Sequence, residues 1–190
     1  MSQTLWFLIE TLASLLATAC ILRAYMNWVG VLSRDPIGQF IIAVTDWLVR
    51  PLRRVVPGGT RAIDWASVAA GALVALLLAF IYLSLIGRLG PAAIGAAVVF
   101  AIYYLLKWSL YLLMGIVLLS AVLSWVNPQA PIAPTLNALT RPFLAPVRRI
   151  IPLVGGVDLS PLVILIVVQL LLGFLASSFV PGMLRLTGGG

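Results

Sequence analysis

The sequence predicts an all-α integral membrane protein in which four transmembrane helices form two parallel two-helix repeats, with interfacial amphipathic segments on the cytoplasmic side. The first observation is composition. Of the 190 residues, 63% are hydrophobic and 9% are charged, whereas soluble domains carry roughly 25% charged residues. The second is a series of four apolar stretches long enough to cross a bilayer. The third is that one set of motifs occurs twice in the chain.

Four stretches reach the ~20 mostly apolar residues that a membrane-spanning helix needs. The first contains Glu10 and Arg23, and the third contains Lys107. The second and fourth begin after Asp64 and Asp158 and carry no charge. The predicted spans are residues 5–29, 65–87, 96–126 and 159–180, with long loops at 30–63 and 127–157. They group into a first repeat, residues 1–90, and a second repeat, residues 91–190.

The repeat is visible as motifs that recur in the same order. LRAYMNWV at 22–29 matches LSAVLSWV at 119–126, an offset of 97. RPLRRVVP at 50–57 matches RPFLAPVRRIIP at 141–152, with four extra residues in the second copy. Each is followed by a Gly-Gly pair and an Asp. Because each unit contains two spans, both units enter the membrane in the same direction. We therefore expect four helices around a pseudo-two-fold axis along the membrane normal.

The distribution of basic residues predicts the orientation. Eight Lys and Arg residues lie in the two long loops, against Arg88 alone between the second and third spans and Arg185 alone in the C-terminal tail. Basic residues concentrate in cytoplasmic loops. The two long loops are therefore predicted to be cytoplasmic and both termini external. This bias also accounts for the net charge of +7, so no nucleic-acid partner is expected.

Several classes of chemistry are poorly supported by the composition. The chain has no His, its only thiol is Cys20, and it has five carboxylates. Histidine is the commonest metal ligand and the usual proton shuttle near neutral pH, and one Cys allows no intramolecular disulfide. We expect no catalytic residues, no cofactor and no metal, and therefore no enzymatic activity.

The strongest candidate for a functional surface is the loop motif of each repeat. In the first copy, apolar residues from Ile37 to Leu48 recur at helical spacing, which predicts a helix lying along the membrane interface and ending at Pro51. In the second copy, five prolines between residues 128 and 146 predict turns and at most short helical pieces. The arginines either fix topology and touch anionic headgroups or form a specific docking site. The candidate contact residues are Arg50, Arg53, Arg54, Arg141, Arg148 and Arg149.

Charged residues at the span boundaries have simpler interpretations. Asp64 and Asp158 are predicted N-terminal helix caps, compatible with ion pairs to the arginine motif. Glu10 and Lys107 are 97 residues apart, so the repeat places them at matching depth, where they either pair across the pseudo-axis or extend separately to the interface. Arg23, whose counterpart is Ser120, is predicted to extend to the cytoplasmic surface.

The string RRIIPLVGGVDLSPLV from Arg148, with the weaker copy RRVVPGGTRAIDWASV from Arg53, resembles the YggT family of bacterial membrane proteins. Related YlmG proteins and plastid counterparts carry a single such unit. The resemblance implies a location in the bacterial inner membrane. It also implies general links to osmotic and potassium tolerance, to division-associated membrane organisation and, in plastids, to cytochrome cofactor assembly. The first copy departs from the pattern at Trp65-Ala66, where the second has Leu159-Ser160.

Two functions remain open at this point. The leading one is a non-enzymatic scaffold or assembly factor that uses its basic loops to contact anionic lipid headgroups and a protein partner or a second copy of the chain. The alternative is a small oligomeric channel or transporter linked to potassium or osmotic homeostasis. Against transport, the spans lack the polar and interrupted-helix features that line a midplane site.

Overall fold

Six α-helices account for nearly all of the chain that the structure describes. The computed structural model describes residues 3–32, 35–56, 63–88, 90, 93–150 and 158–188, with side chains as far as residue 179. The helices are α1 (Gln3–Val29), α2 (Pro36–Val55), α3 (Trp65–Leu85), α4 (Ala93–Val126), α5 (Ala133–Ile150) and α6 (Ser160–Gly188). The expected all-helical class is confirmed.

Four of these helices are long and apolar enough to cross a membrane: α1, α3, α4 and α6 between Ser160 and Phe179. The four predicted spans are therefore confirmed by length and composition. At 1.5 Å per residue, the 34-residue α4 is about 51 Å long, which exceeds the ~30 Å hydrocarbon core of a bilayer. If all four helices cross one membrane, the connecting helices α2 and α5 lie on the same side of it.

The spans pack as an open series. Helix α1 packs on α3, α3 on α4 and α4 on α6, with a smaller contact between α1 and α4. A ring around a pseudo-two-fold axis would also need α6 to pack on α1, and among the described residues these helices do not touch. The expected pseudo-two-fold arrangement of the four spans is therefore not met in their packing, because the α3–α4 contact has no α6–α1 counterpart among the described residues. The α3–α4 core contains Ala96 and Ala97 from the first turns of α4, and at the offset of 97 those alanines have no counterpart in α1.

Helices α2 and α5 are both uninterrupted across prolines. Helix α2 begins at Pro36, and the preceding residue Asp35 caps it by accepting a hydrogen bond from the N–H of Ile37 at 3.0 Å. The helix continues past Pro51 to Val55. Helix α5 contains Pro142 and Pro146. The predicted stop at Pro51 and the predicted short pieces in the second copy are both wrong. These three prolines lie on exposed helix faces, where the carbonyl that each leaves unpaired is not enclosed by the bundle.

The structure also aligns the two connecting helices differently from the motif match. Thr45 and Thr140 are both buried, and each donates its hydroxyl to the carbonyl four residues earlier. Their offset of 95 also relates Arg53 to Arg148, and it needs no inserted residues within the helices. At this offset Asp46 corresponds to Arg141. In this alignment Arg50 and Arg141 are not equivalent positions, unlike in the match of the Arg-Pro motifs.

Candidate functional site: the polar layer beneath each repeat

Arg23 lies at the centre of a polar network at the α2 end of the first repeat. Its side chain is 3% exposed. One guanidinium nitrogen donates to the Thr45 hydroxyl at 2.9 Å, and another lies 3.1 Å from the Asp46 carboxylate. A third contact joins its Nε to the Asp64 carboxylate at 3.8 Å. The expected extension of Arg23 to the surface is wrong, because α2 and the start of α3 bring two carboxylates to the guanidinium, as a charge at this depth requires.

Asp64 joins the start of α3 to the end of α2. Its carboxylate accepts hydrogen bonds from the N–H of Ser67 at 3.4 Å and from the Ser67 hydroxyl at 2.7 Å. It also accepts from Arg53 at 2.7 Å. Burial raises the pKa of Asp64, but the hydrogen bonds from Ser67 and the Arg53 guanidinium outweigh it and hold the pKa below its ordinary value. The carboxylate therefore caps α3 and anchors α2 at once.

Asp46 connects the buried part of this network to the surface. Its carboxylate lies 3.1 Å from Arg23 and 2.8 Å from Nε of Arg50, one helical turn further along α2. The Arg50 side chain is 80% exposed, so this outer pair contributes little, about 0.3–0.5 kcal/mol for a helical pair of this spacing. The first repeat thus has a series of alternating charges that runs inward from Arg50 to Asp46 to Arg23.

The second repeat retains the anchor but lacks the centre of the network. Nε of Arg148 donates to the Asp158 carboxylate at 2.7 Å, as Arg53 does to Asp64. The same carboxylate accepts from the N–H of Ser160, the first residue of α6, at 2.9 Å. Burial raises the pKa of Asp158, yet the hydrogen bonds from Ser160 and Arg148 lower it further than burial raises it. The position of Arg23 is taken by Ser120.

The predicted contact arginines divide into two kinds. Arg53 and Arg148 are half-exposed and anchor α2 and α5 to the carboxylates of the spans. Arg54, Arg141 and Arg149 are exposed, and within the described residues none of these three forms an ion pair. Sequence reasoning treated each Arg pair as one unit. The helical turn separates its members, because residues one apart point in directions about 100° apart on a helix.

An apolar strip on α2 lies beside the basic residues. Phe40, Val44 and Trp47 are 65%, 40% and 66% exposed, and their spacing of four and three residues places them along one face of the helix. The opposite face is buried against the spans through Ile41, Thr45 and Val49. Helix α2 is therefore held by one face while it presents a second apolar face outward.

Glu10 and Lys107 do not form the hypothesised ion pair. The ion pairs between described residues involve only Arg and Asp. The amine of Lys107 instead lies 5.9 Å from the ring centroid of Tyr103, one turn earlier on α4. The open packing of the spans explains the difference, because matching depth does not bring two side chains together without a closed pseudo-symmetric core.

Sequence reasoning missed Thr45, Thr140 and the inward role of Asp46. The available signal was that the two threonines and the two Arg-Arg pairs match at one offset of 95. The Arg-Pro motifs match at a different offset, and the sequence interpretation followed that match. No three metal-ligating residues of the described chain come close enough to hold a metal ion.

Comparison with known proteins gives a match to each half of the chain. The CCB3/YggT family matches two segments, residues 2–86 and 99–179, which correspond to the two repeats. This chain belongs to the CCB3/YggT family. It is similar to the uncharacterised protein in the proC 3′ region of Vibrio alginolyticus, with 39% identity over 86% of this chain and 88% of that protein.

Two further YggT-like relatives cover most of the chain. The uncharacterised protein YggT of Escherichia coli strain K12 is 31% identical over 89% of this chain and 87% of its own length. An uncharacterised protein of Pseudomonas aeruginosa is 32% identical over 87% of this chain and 84% of its own length. No solved structure matches this YggT-family chain.

Proposed function

We propose that this YggT-family protein is a non-enzymatic scaffold or assembly factor of the bacterial inner membrane. In this proposal α2 and α5 face the cytoplasm, contact anionic headgroups and recruit a protein partner. The observation that carries the proposal is that an ion pair attaches each connecting helix to the bundle. Arg53 with Asp64, and Arg148 with Asp158, tie the end of each helix to the start of the next span at 2.7 Å.

A helix attached in this way is a suitable docking surface because it is ordered before a partner binds. Binding then costs less conformational entropy than the ordering of a free loop would. The outward side of α2 combines the apolar residues Phe40 and Trp47 with the exposed Arg54. Aromatic and Arg side chains are enriched at protein interfaces, and the same mixture suits the membrane interface.

The packing between the spans gives less support to the channel alternative. The core shared by α1, α3 and α4 is built from Ala, Val, Leu and aromatic side chains, among them Ala75, Leu78, Ala79 and Phe100. The buried charge of Arg23 is neutralised by Asp46 and Asp64 at the α2 end of the bundle. A conducting path for ions needs polar groups along the spans, and this core supplies none among the residues named.

The test compares proteins recovered with the full chain after crosslinking and gentle solubilisation of membranes. The informative variant is Arg54→Gln with Arg149→Gln, because these two arginines are exposed and do not anchor the fold. The matched control is Arg88→Gln, an exposed arginine just beyond the far end of α3. We expect a stoichiometric partner that the double variant loses and the control retains. A homo-oligomer without another protein, unchanged by the double variant, would favour the channel alternative.

A further inference from the structure

A cavity of about 250 Å³ lies between α4, α5 and α6. Its polar groups come from α4, α5 and Asp158 just before α6, and its apolar walls come from all three helices. A second cavity of about 50 Å³ adjoins it and shares Ser120, Ser124 and Asn137 with it. Residues that line the larger cavity and enter the argument are Ser120, Ala121, Ser124, Asn137, Arg148 and Asp158.

The cavity is lined by the residues that correspond to Arg23 and Asp64 of the first repeat. Ser120 corresponds to Arg23 at the offset of 97, and it is only 9% exposed. Asp158 corresponds to Asp64, the carboxylate that Arg23 approaches at 3.8 Å. The serine at this position is much shorter than arginine, so it does not fill the space beside the carboxylate as Arg23 does in the first repeat. The second repeat thus keeps the carboxylate and the anchoring arginine and has open space beside them.

The cavity opens at the height of the membrane interface. Its apolar lining includes Leu118, Val122, Trp125 and Leu162, whose side chains are 51%, 47%, 75% and 55% exposed. On a membrane-spanning bundle, exposed apolar side chains of the spans face lipid. Trp residues concentrate at the level of the headgroups. The polar end of the cavity is therefore placed next to lipid headgroups and its apolar end next to acyl chains.

We propose that this cavity binds one phospholipid with an ammonium headgroup, phosphatidylethanolamine. Arg148 uses its Nε for Asp158, and within the described part of the chain its other guanidinium N–H groups have no partner, so in this proposal they donate to the phosphate. The Asp158 carboxylate accepts the lipid ammonium, with Ser124 and Asn137 hydrogen-bonding the remaining phosphate and glycerol oxygens. The acyl chains lie along Leu118 and Leu162. This inference is independent of the scaffold proposal.

Charge complementarity favours this lipid over an anionic one. The charged lining of the cavity is one cation, Arg148, and one anion, Asp158. These two groups already form an ion pair at 2.7 Å, so the charged lining is neutral as a whole. A zwitterionic headgroup keeps the cavity neutral, whereas an anionic headgroup adds one uncompensated negative charge. The volume also fits a headgroup, because it is slightly below the roughly 300–1,000 Å³ of pockets that enclose whole small molecules.

The first experiment measures which lipid stays with the full chain. The protein is reconstituted in vesicles of equal phosphatidylethanolamine, phosphatidylglycerol and phosphatidylcholine with the same acyl chains, then re-extracted in mild detergent. Mass spectrometry counts the lipids retained per chain. We expect about one retained phosphatidylethanolamine per chain, as for a single enclosed site. Retention of phosphatidylglycerol or phosphatidylcholine in equal or greater amount would overturn the proposal, because neither headgroup has an ammonium N–H to donate to Asp158.

Cavity-filling variants test the location. Ala121→Trp and Ser124→Phe each place an aromatic ring in the cavity and should abolish the retention. Leu119→Trp is the control, since Leu119 is 48% exposed on the same helix but does not line the cavity. Retention that survives both filling variants, or that the control also loses, contradicts the assignment. The two filling variants are independent, so failure of one to fold leaves the other decisive.

A substitution at Asp158 tests the chemistry. In Asp158→Asn the retained ratio of phosphatidylethanolamine to phosphatidylglycerol should fall about tenfold, the change that corresponds to ~1.4 kcal/mol. Asp64→Asn is the matched control. It weakens the equivalent ion pair, Arg53 with Asp64, in the first repeat, where Arg23 lies beside the carboxylate. It should leave the ratio unchanged. An unchanged ratio in Asp158→Asn, or an equal fall in Asp64→Asn, would show that Asp158 does not hold the headgroup.

Discussion

Replacement of Arg23 by methionine tests whether the buried guanidinium stabilises the first repeat. The change removes the hydrogen bond to Thr45 at 2.9 Å and the ion pair with Asp46 at 3.1 Å, while a side chain of similar length still fills the space. The arginine side chain is 3% exposed, so water cannot replace its contacts. The opposing term is the desolvation cost of a buried charge, which methionine avoids.

The expected magnitude follows from what each partner retains. Asp46 keeps Arg50 at 2.8 Å and Asp64 keeps Arg53 at 2.7 Å, so neither carboxylate is left alone. Removal of a charged group that leaves both acids partnered costs less than the 3–5 kcal/mol of an isolated buried charge. We expect Arg23→Met to lower the free energy of unfolding by about 2–3 kcal/mol, the scale of hydrogen bonds to charged groups.

The assay is unfolding of the purified protein in mixed micelles by titration with SDS, followed by tryptophan fluorescence. Arg50→Met is the matched control, since it removes the exposed member of the same network and should cost about 0.3–0.5 kcal/mol. Equal effects of the two substitutions, within 0.5 kcal/mol, would refute the reasoning. A variant more stable than the original chain would show that desolvation of Arg23 outweighs its contacts.

Two further predictions concern a close packing contact and acid stability. A Cβ at Gly38 would lie 1.9 Å from the carbonyl oxygen of Leu32, so Gly38→Ala should lower the free energy of unfolding by roughly 1–3 kcal/mol. The control is Gly95→Ala, because a Cβ at Gly95 has no neighbour within 4 Å. It should be neutral or stabilising in the same SDS titration. The pKa of Asp64 is lowered from 3.8, so its contribution to stability is present above about pH 3.8 and is lost as pH falls through the folded value. Asp64→Asn should flatten that acid dependence of the unfolding midpoint, and an unchanged acid limb in the variant would contradict the assignment.

The spans were predictable because a bilayer sets their length and composition locally. A continuous apolar run of about 20 residues is sufficient to indicate a membrane helix, and α3 shows this at Trp65–Leu85, two residues short of the predicted end. The amphipathic character of α2 was equally readable from its spacing. The end of that helix was not, because the effect of Pro51 depends on whether the carbonyl it leaves unpaired is enclosed by neighbouring helices.

The candidate site was less predictable because its charges come from different helices. Asp64 and Asp158 stood out as residues that open a span, and their partners Arg53 and Arg148 were in the set of candidate arginines. Nothing in the local sequence separates Arg53 from its neighbour Arg54, yet one anchors the helix and the other is exposed. That division depends on which face of α2 packs against the spans.

The sequence by itself determined the membrane class, the four spans, the repeat and the family, since each depends on residue types at fixed separations along the chain. Only the tertiary structure decided that Arg23 is buried between two carboxylates, that its counterpart Ser120 lines a cavity, and that the described residues of α6 do not pack on α1. Burial and partnership of a charge are set by which helices meet around it, and helices distant in sequence meet according to packing surfaces that a local pattern does not encode.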